Sequence, residues 1–297
     1  MHDQAEKLRQ MVQKASPGIH KSAVIKYSGD TRSRVITITS GKGGVGKTNI
    51  TVNLALALAK IGKKVLIIDA DLGLANVDVV LGCSSPYNIL NLLEDCFHLA
   101  DIVTEGPRGI KFMSGGSGIY QLANLNDAQL QYIISQITLF DEWADIILID
   151  TGAGLSRNVL NFVMAADEVI VVTTPEPTSI TDAYAMMKAY SQHQGTAPMH
   201  LIVNRAVDIQ EGGVVIDKLT KLALRFLGLP ISGLGIVYED RNLVNAVKNQ
   251  TPLLMAAPDS LAARCIDNIA HRIVNDGKDL TSQGIKGFFT RFLEMIW

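Results

Sequence analysis

Nine consecutive residues of this chain have the types and the spacing that bind a nucleotide phosphate: Ser40-Gly41-Lys42-Gly43-Gly44-Val45-Gly46-Lys47-Thr48. The glycines let backbone N–H groups converge on phosphate oxygens, because no side chain stands in the way. Lys47 would place its charge on the β- and γ-phosphates, and the Thr48 hydroxyl suits Mg²⁺. A glycine-rich turn that binds nothing is the alternative, and the complete G-x-x-x-x-G-K-T spacing argues against it. The stretch, together with Asn49 after it, predicts a site for ATP and Mg²⁺.

Strand and helix patterns alternate on both sides of this loop. An apolar run precedes it and a helical pattern follows it, which is the setting that a phosphate-binding loop needs. Apolar runs predict strands at 35–39, 65–68, 111–114, 145–149, 168–173, 199–203 and 233–237. Helical spacing predicts helices at 48–61, 126–141, 157–165, 179–193, 212–227, 241–248 and 259–274. The alternation indicates an α/β fold, with a mostly parallel sheet wrapped by helices.

Carboxylates stand where two of these strands end. Asp69 and Asp71 close the second strand, and Asp150 follows the apolar run 146–149. Because the carboxyl ends of parallel strands meet at one edge, all three should reach the phosphate loop. Asp150 is then a carboxylate near Mg²⁺, Asp69 belongs to the metal's outer shell, and Asp71 orients the attacking water. A helix cap or a turn is the alternative role for each aspartate.

Two further segments complete the predicted site. Gly154, just beyond Asp150, would let a backbone amide approach the γ-phosphate, so residues 151–156 are a candidate switch loop. The fifth strand ends at Asn204 and Arg205, where an amide side chain can both donate to and accept from the adenine edge. Asparagine is also common in turns, so this second signal depends on its context.

Composition excludes several other classes of protein. The 297 residues are 47% apolar and 19% charged, with a net charge of −2, which makes nucleic acid an unfavoured partner. Cys83, Cys96 and Cys265 are widely scattered, which argues against a disulfide framework or a metal ribbon. The sequence shows neither an apolar run long enough to span a bilayer nor a signal peptide, so we expect a cytoplasmic protein.

The two ends of the chain have sequence patterns that differ from the alternating strands and helices between them. Residues 1–15 have the spacing of a short amphipathic helix, and 16–34 have the composition of a linker, with basic residues that could also meet an acidic partner. After a polar tether that begins at 276, the chain ends in a helical stripe with three phenylalanines and a tryptophan. The stripe consists of Ile285, Phe288, Phe289, Phe292, Leu293, Ile296 and Trp297. This pattern predicts an interfacial membrane anchor, and a helix packed on its own domain is the alternative.

Two motifs together resemble one known family. The segment 41–48 resembles the deviant Walker A motif of the MinD/ParA ATPases, and 69–78 resembles the second motif of its MinD branch. The resemblance covers residues 35 to about 275 and implies the SIMIBI type of P-loop NTPase fold and ATP hydrolysis. It also implies that Lys42 reaches the phosphates of the other subunit in an ATP-bound homodimer. In this family the amphipathic tail binds the inner face of the cell membrane reversibly, when ATP forms the dimer.

The first residues resemble the FlhG branch of this family, which governs flagellar number and placement. Its D-Q-A-x-x-L-R segment is matched by Asp3, Gln4, Ala5, Leu8 and Arg9. The resemblance implies that this helix binds FlhF, an SRP-type GTPase, and that Gln4 stimulates its GTP hydrolysis. It further implies contact with flagellar C-ring proteins. A MinD-type division ATPase, a ParA-type DNA partitioner and an iron–sulfur carrier are the alternatives within the same superfamily.

Overall fold

The structure, a computed structural model, describes residues 32–71, 76–276 and 282–296. The chain divides into two units between Asp30 and Thr31, and the described residues all belong to the second. Several predicted site residues therefore lie outside the described part: Asp3, Gln4, Ala5, Leu8, Arg9 and Trp297. The proposed boundaries at 15, 34 and 275 stay predictions.

An eight-stranded sheet forms the centre of the fold. Its strands are β1 (Arg34–Ser40), β2 (Val65–Ala70), β3 (Thr104–Glu105), β4 (Lys111–Ser114), β5 (Ile146–Ala153), β6 (Glu168–Thr173), β7 (Met199–Ala206) and β8 (Ile231–Tyr238). The order across the sheet is β3-β4-β2-β5-β1-β6-β7-β8, and among the strands of the described residues only the β3–β4 pair is antiparallel. The predicted α/β class and the mostly parallel sheet are confirmed.

Twelve α-helices surround the sheet in the part of the chain that the structure describes. They are α1 (Lys47–Lys60), α2 (Val77–Leu81), α3 (Gly116–Gln121), α4 (Asp127–Thr138), α5 (Phe140–Trp143), α6 (Arg157–Ala165), α7 (Pro177–Gln192), α8 (Ile209–Leu227), α9 (Arg241–Lys248), α10 (Leu253–Ala256), α11 (Leu261–Asp276) and α12 (Gly284–Glu294). The seven helices predicted within the domain appear close to their expected bounds, although 126–141 is divided into α4 and α5. The sequence patterns missed the short helices α2, α3 and α10 and the two-residue strand β3, since segments this short carry too few residues to show a period.

Both faces of the sheet are buried, as expected for parallel strands. Neighbouring residues of β1 point to opposite faces, so Val35 joins one apolar cluster and Ile36 joins another. Helices α1 and α11 cover the face of Ile36, and α4, α6 and α12 cover the face of Val35. This leaves the carboxyl edge of the sheet open for the loops that carry the predicted site.

The C-terminal helix lies against its own domain, which differs from the expectation of an anchor held away by a tether. Five of its predicted membrane-facing side chains are at most 7% exposed: Ile285, Phe288, Phe289, Phe292 and Leu293. The Phe292 ring stacks on Phe162 of α6, with ring centroids 4.6 Å apart, and its edge meets Tyr120. Ile296 packs against the same cluster and is partly exposed. Burial of these rings, worth on the order of 2 kcal/mol each, explains the docking.

None of the described helices is both long enough and apolar enough to cross a bilayer.

Candidate nucleotide site

The phosphate loop connects the end of β1 to the start of α1 at the open edge of the sheet. Gly44 and Gly46 have φ angles of 77° and 90°, a left-handed conformation that glycine adopts without strain. A Cβ atom on Gly41 would lie 2.1 Å from the carbonyl oxygen of Asp182. These glycines therefore keep the backbone close and free of side chains, which the predicted phosphate cradle requires.

Asp150 is the polar centre beneath this loop. Its side chain is fully buried at the end of β5 and lies 3.4 Å from the Lys47 ammonium. The hydroxyls of Thr48 and Thr51 donate to its two oxygens, at 2.7 and 2.9 Å. Thr51 was not predicted from the sequence, although its position one helical turn beyond Lys47 places it on the same face of α1. Asp150 thus orients both groups predicted to meet the phosphates and Mg²⁺.

Asp69 is a buried neighbour of Asp150, since the two residues are paired across β2 and β5. Its carboxylate accepts hydrogen bonds from the backbone N–H groups of Asp71, Asn76 and Val77. Burial, and then the charge of Asp150, raise the pKa of Asp69 to about 6 despite these donors. Asp69 therefore holds the backbone of Asp71 close to that of Asn76 and Val77.

Asp71 lies beside the end of β5. A Cβ atom on Gly152 would lie 3.4 Å from the Asp71 carboxylate oxygen, an ordinary contact distance, so the two residues are close neighbours. Gly154, with a φ angle of 93°, donates its backbone N–H to the carbonyl oxygen of Ser40. The candidate switch loop is thus bonded directly to the start of the phosphate loop.

The polar groups at this edge of the sheet suit Mg²⁺ and ATP. Thr48 and Asp150 offer a hydroxyl and a carboxylate side by side, the oxygen ligands that Mg²⁺ prefers. Asn204 donates from its side-chain nitrogen to Val45 O at 2.8 Å, while its buried side-chain oxygen has no partner among the residues that the structure describes. An acceptor left without a donor in the interior is costly, and an adenine amino group would satisfy it.

The position of Arg205 is set by an unusual backbone conformation. Its φ angle is 58°, and its side chain is exposed at the end of β7. Its charge contributes to a lowered pKa of Glu176, so the two side chains share one region. The predicted roles of Asn204 and Arg205 toward adenine stay predictions.

Lys42 is bonded within its own chain, away from Asp150. Its ammonium donates to the Glu176 carboxylate at 2.9 Å and to the Thr178 hydroxyl at 2.8 Å. The bond to Glu176, together with the charge of Lys42, lowers the pKa of Glu176. Glu176 was not predicted from the sequence, although it follows β6 at the same edge of the sheet, where the strand-end rule applies. The loop therefore holds two lysines with different partners, Lys47 inside the site and Lys42 at its surface.

The fold and site define a P-loop NTPase, and comparisons with known proteins agree. The matching family model is described as ParA, NUBPL iron-transfer P-loop NTPase, and it spans residues 31–274. A chain in the solved MinC:MinD cell division protein complex of Aquifex aeolicus is 29% identical, with a TM-score of 0.63 and coverage of 85% of this chain and 100% of that one. The chain therefore belongs to the MinD/ParA family of P-loop ATPases.

Two curated relatives indicate the branch of the family to which this chain is similar. Antiactivator FleN of Pseudomonas aeruginosa is 39% identical over 240 residues, which cover 81% of this chain and 86% of FleN. Flagellum site-determining protein YlxH of Helicobacter pylori is 35% identical over 303 residues and covers both chains completely. FleN and YlxH are names of the FlhG branch, so the resemblance of this chain to that branch is confirmed.

Proposed function

We propose that this protein is an ATP-dependent dimerisation switch that binds the inner face of the cell membrane reversibly and regulates flagellar number and placement. The observation that carries the proposal is the placement of Lys42. A single subunit needs one lysine at the phosphates, and Lys47 already lies beside Asp150. Lys42 is 38% exposed and held by surface groups, so it is free to exchange Glu176 for the phosphates of a second subunit.

The surface around Lys42 suits a second copy of the chain. Three large apolar side chains are exposed beside the carboxyl ends of β5 and β7: Leu155 at 41%, Val207 at 74% and Ile209 at 61%. Apolar side chains at the rim of a nucleotide site gain free energy when a partner covers them. Two subunits facing each other across this edge would bury these side chains and enclose both nucleotides.

Hydrolysis in this dimer would use polar side chains of one subunit together with Lys42 of the other. Lys47 and Lys42 would stabilise the negative charge on the transferred phosphate, one from each subunit. Asp71, beside Gly152, would orient the attacking water. Bound Mg²⁺ would be held by Thr48 and Asp150 and would neutralise phosphate charge. The hydrogen bond from the Gly154 N–H to the Ser40 carbonyl oxygen would transmit a movement of the phosphate loop to the switch loop.

Membrane binding would use the apolar face of α12 after it leaves the domain. Helix α6, which carries Phe162, begins just after the candidate switch loop, and Arg157 at its start donates to the carbonyl oxygen of Met295. A shift of the switch loop would therefore act on the docking site of α12. A single amphipathic helix of this size binds lipid weakly, so two helices in a dimer would make attachment dependent on ATP.

Flagellar control is proposed from the relatives and from the N-terminal segment. YlxH is named a flagellum site-determining protein, and its alignment with this chain includes residues 1–15. Binding of the SRP-type GTPase FlhF through Gln4, and contact with flagellar C-ring proteins, belong to this proposal. Gln4→Ala should reduce stimulation of FlhF, while the matched control Gln10→Ala should not. Equal stimulation by both variants would remove Gln4 from the role.

The decisive experiment is co-sedimentation of the intact protein with anionic vesicles in ATP, ADP or no nucleotide. We expect binding only with ATP, together with a dimer in light scattering. Lys42→Ala should bind ATP but remain a monomer and stay in the supernatant. An ATP-dependent dimer of Lys42→Ala would refute the assigned role of this lysine. Retention on DNA without vesicle binding would favour the ParA-type alternative.

A further inference from the structure

The two ends of the described domain meet at one cluster of hydrogen bonds. Ser33 precedes β1, and Ser282 precedes α12, 249 positions later in the chain. The Ser282 hydroxyl lies 2.5 Å from the carbonyl oxygen of Ser33 and 2.7 Å from a carboxylate oxygen of Asp167. We call Ser33, Asp141, Asp167 and Ser282 the terminal junction. Within it, the start of the first strand and the start of the last helix share their partners.

Asp141, just after the start of α5, bridges the two ends. Its carboxylate accepts from the Ser33 hydroxyl and, at 2.8 Å, from the backbone N–H of Ile285. It therefore acts as a cap from outside the helix, on one of the N–H groups in the first turn of α12 that lack helical partners. A Cβ atom on Gly284 would lie 2.5 Å from this carboxylate, so the close approach depends on glycine.

Asp167 bridges the same two ends through both of its carboxylate oxygens. One of its oxygens accepts from the Val35 N–H at 3.1 Å and lies beside the Ser282 hydroxyl. The other accepts from the Gln283 N–H at 3.3 Å and from the Arg291 guanidinium at 3.0 Å. The Asp167 side chain is 6% exposed, so departure of α12 would remove partners from a carboxylate that is nearly buried. Each carboxylate is therefore satisfied fully only when both ends are in place.

We propose that the terminal junction couples the docking of α12 to the attachment of the chain that precedes β1. When α12 undocks, the carbonyl oxygen of Ser33 loses the Ser282 hydroxyl. Water then competes with the Ser33 hydroxyl for the Asp141 carboxylate. When the preceding segment is pulled away, Ser282, which leads into α12, loses the Ser33 carbonyl oxygen as a partner, and the capping carboxylate of Asp141 loses the Ser33 hydroxyl. Such coupling is reciprocal, because each event changes the free energy of the other by the same amount.

The coupled region ends where β1 begins. Arg34 donates to the Glu168 carboxylate and to the carbonyl oxygen of Ile273, and neither group belongs to the junction. The strand therefore stays in the sheet while Ser33 and the residues before it are released. The functional meaning rests on the proposed function: capture of the N-terminal segment by a partner would favour membrane attachment through α12, and membrane attachment would favour capture.

Hydrogen exchange of the full chain, without nucleotide or lipid, tests this coupling from both ends. Ser33→Ala removes a hydroxyl at the N-terminal side and is read at the peptide 284–294. Leu293→Ala loosens α12 far from the junction and is read at the amide of Ser33, a buried residue that lies just before β1. Loss of one such bond should speed exchange at the opposite end about fivefold. Thr290→Ala is the control, since its exposed hydroxyl donates within α12, to the carbonyl oxygen of Lys286.

The outcome separates this inference from the proposed function. Faster exchange at the opposite end in both variants, with no change in Thr290→Ala, supports the coupling. Faster exchange at the mutated end alone overturns it, whether or not ATP later drives vesicle binding. Absence of vesicle binding with ATP, in a protein that shows the coupling, would instead refute the membrane role and leave the junction intact.

Discussion

Asp141→Ala should convert membrane binding from a nucleotide-dependent to a partly constitutive property. The substitution removes the external cap of α12 and leaves every apolar side chain of the helix unchanged. Loss of a helix cap costs about 0.5–2 kcal/mol, which increases the undocked fraction about 2- to 30-fold. The apparent vesicle affinity without nucleotide should rise by the same factor while undocking remains rare, because only the undocked helix binds lipid.

Glu142→Ala is the matched control for this experiment. Glu142 is the neighbouring residue, carries the same charge and is exposed, so its loss changes the attraction to anionic lipid equally. Co-sedimentation with vesicles in the absence of nucleotide, measured against lipid concentration, gives both affinities. Equal affinities of the two variants would show that docking of the apolar face of α12 does not limit membrane binding, which would contradict this prediction.

Three further predictions concern the nucleotide site. Glu176→Gln removes the charged partner of Lys42, so the dimer should form at lower ATP concentration in light scattering; a weaker dimer would show that Glu176 serves the dimer itself. Asn204→Ala removes both the hydrogen bond to Val45 and the unpartnered side-chain oxygen, so the ATP affinity measured by calorimetry should fall about tenfold; unchanged affinity would exclude an adenine contact. For Asp69 the folded state binds its proton more tightly than the unfolded state, in which the carboxyl has its ordinary pKa of 3.8. The stability due to Asp69 is therefore present below pH 4 and lost as the pH rises through about 6. Relative to Asp69→Asn, the free energy of unfolding should fall by on the order of 3 kcal/mol between pH 4 and 7 in chelator, by denaturant titration; a constant difference would contradict the raised pKa.

Much of the fold follows from local patterns in the chain. The parallel strands were predictable because their apolar runs reflect burial on both faces, and the long helices because their period spans several turns. The loop 40–48 was predictable because phosphate binding depends on consecutive backbone groups. Asp150 and Asn204 were predictable because the strand-end rule brings distant residues to one edge of the sheet without further information.

The partners of these residues were decided by tertiary structure. Glu176 and Lys42 are 134 positions apart, and no pattern within either segment shows that they meet. The C-terminal stripe had the same ambiguity, because an apolar helical face has one sequence signature whether it meets lipid or protein. In this structure the stripe stacks on Phe162, and Asp141 caps its helix. The chain itself therefore specified a nucleotide loop and an amphipathic helix, and the packing of segments far apart in sequence decided what each of them contacts.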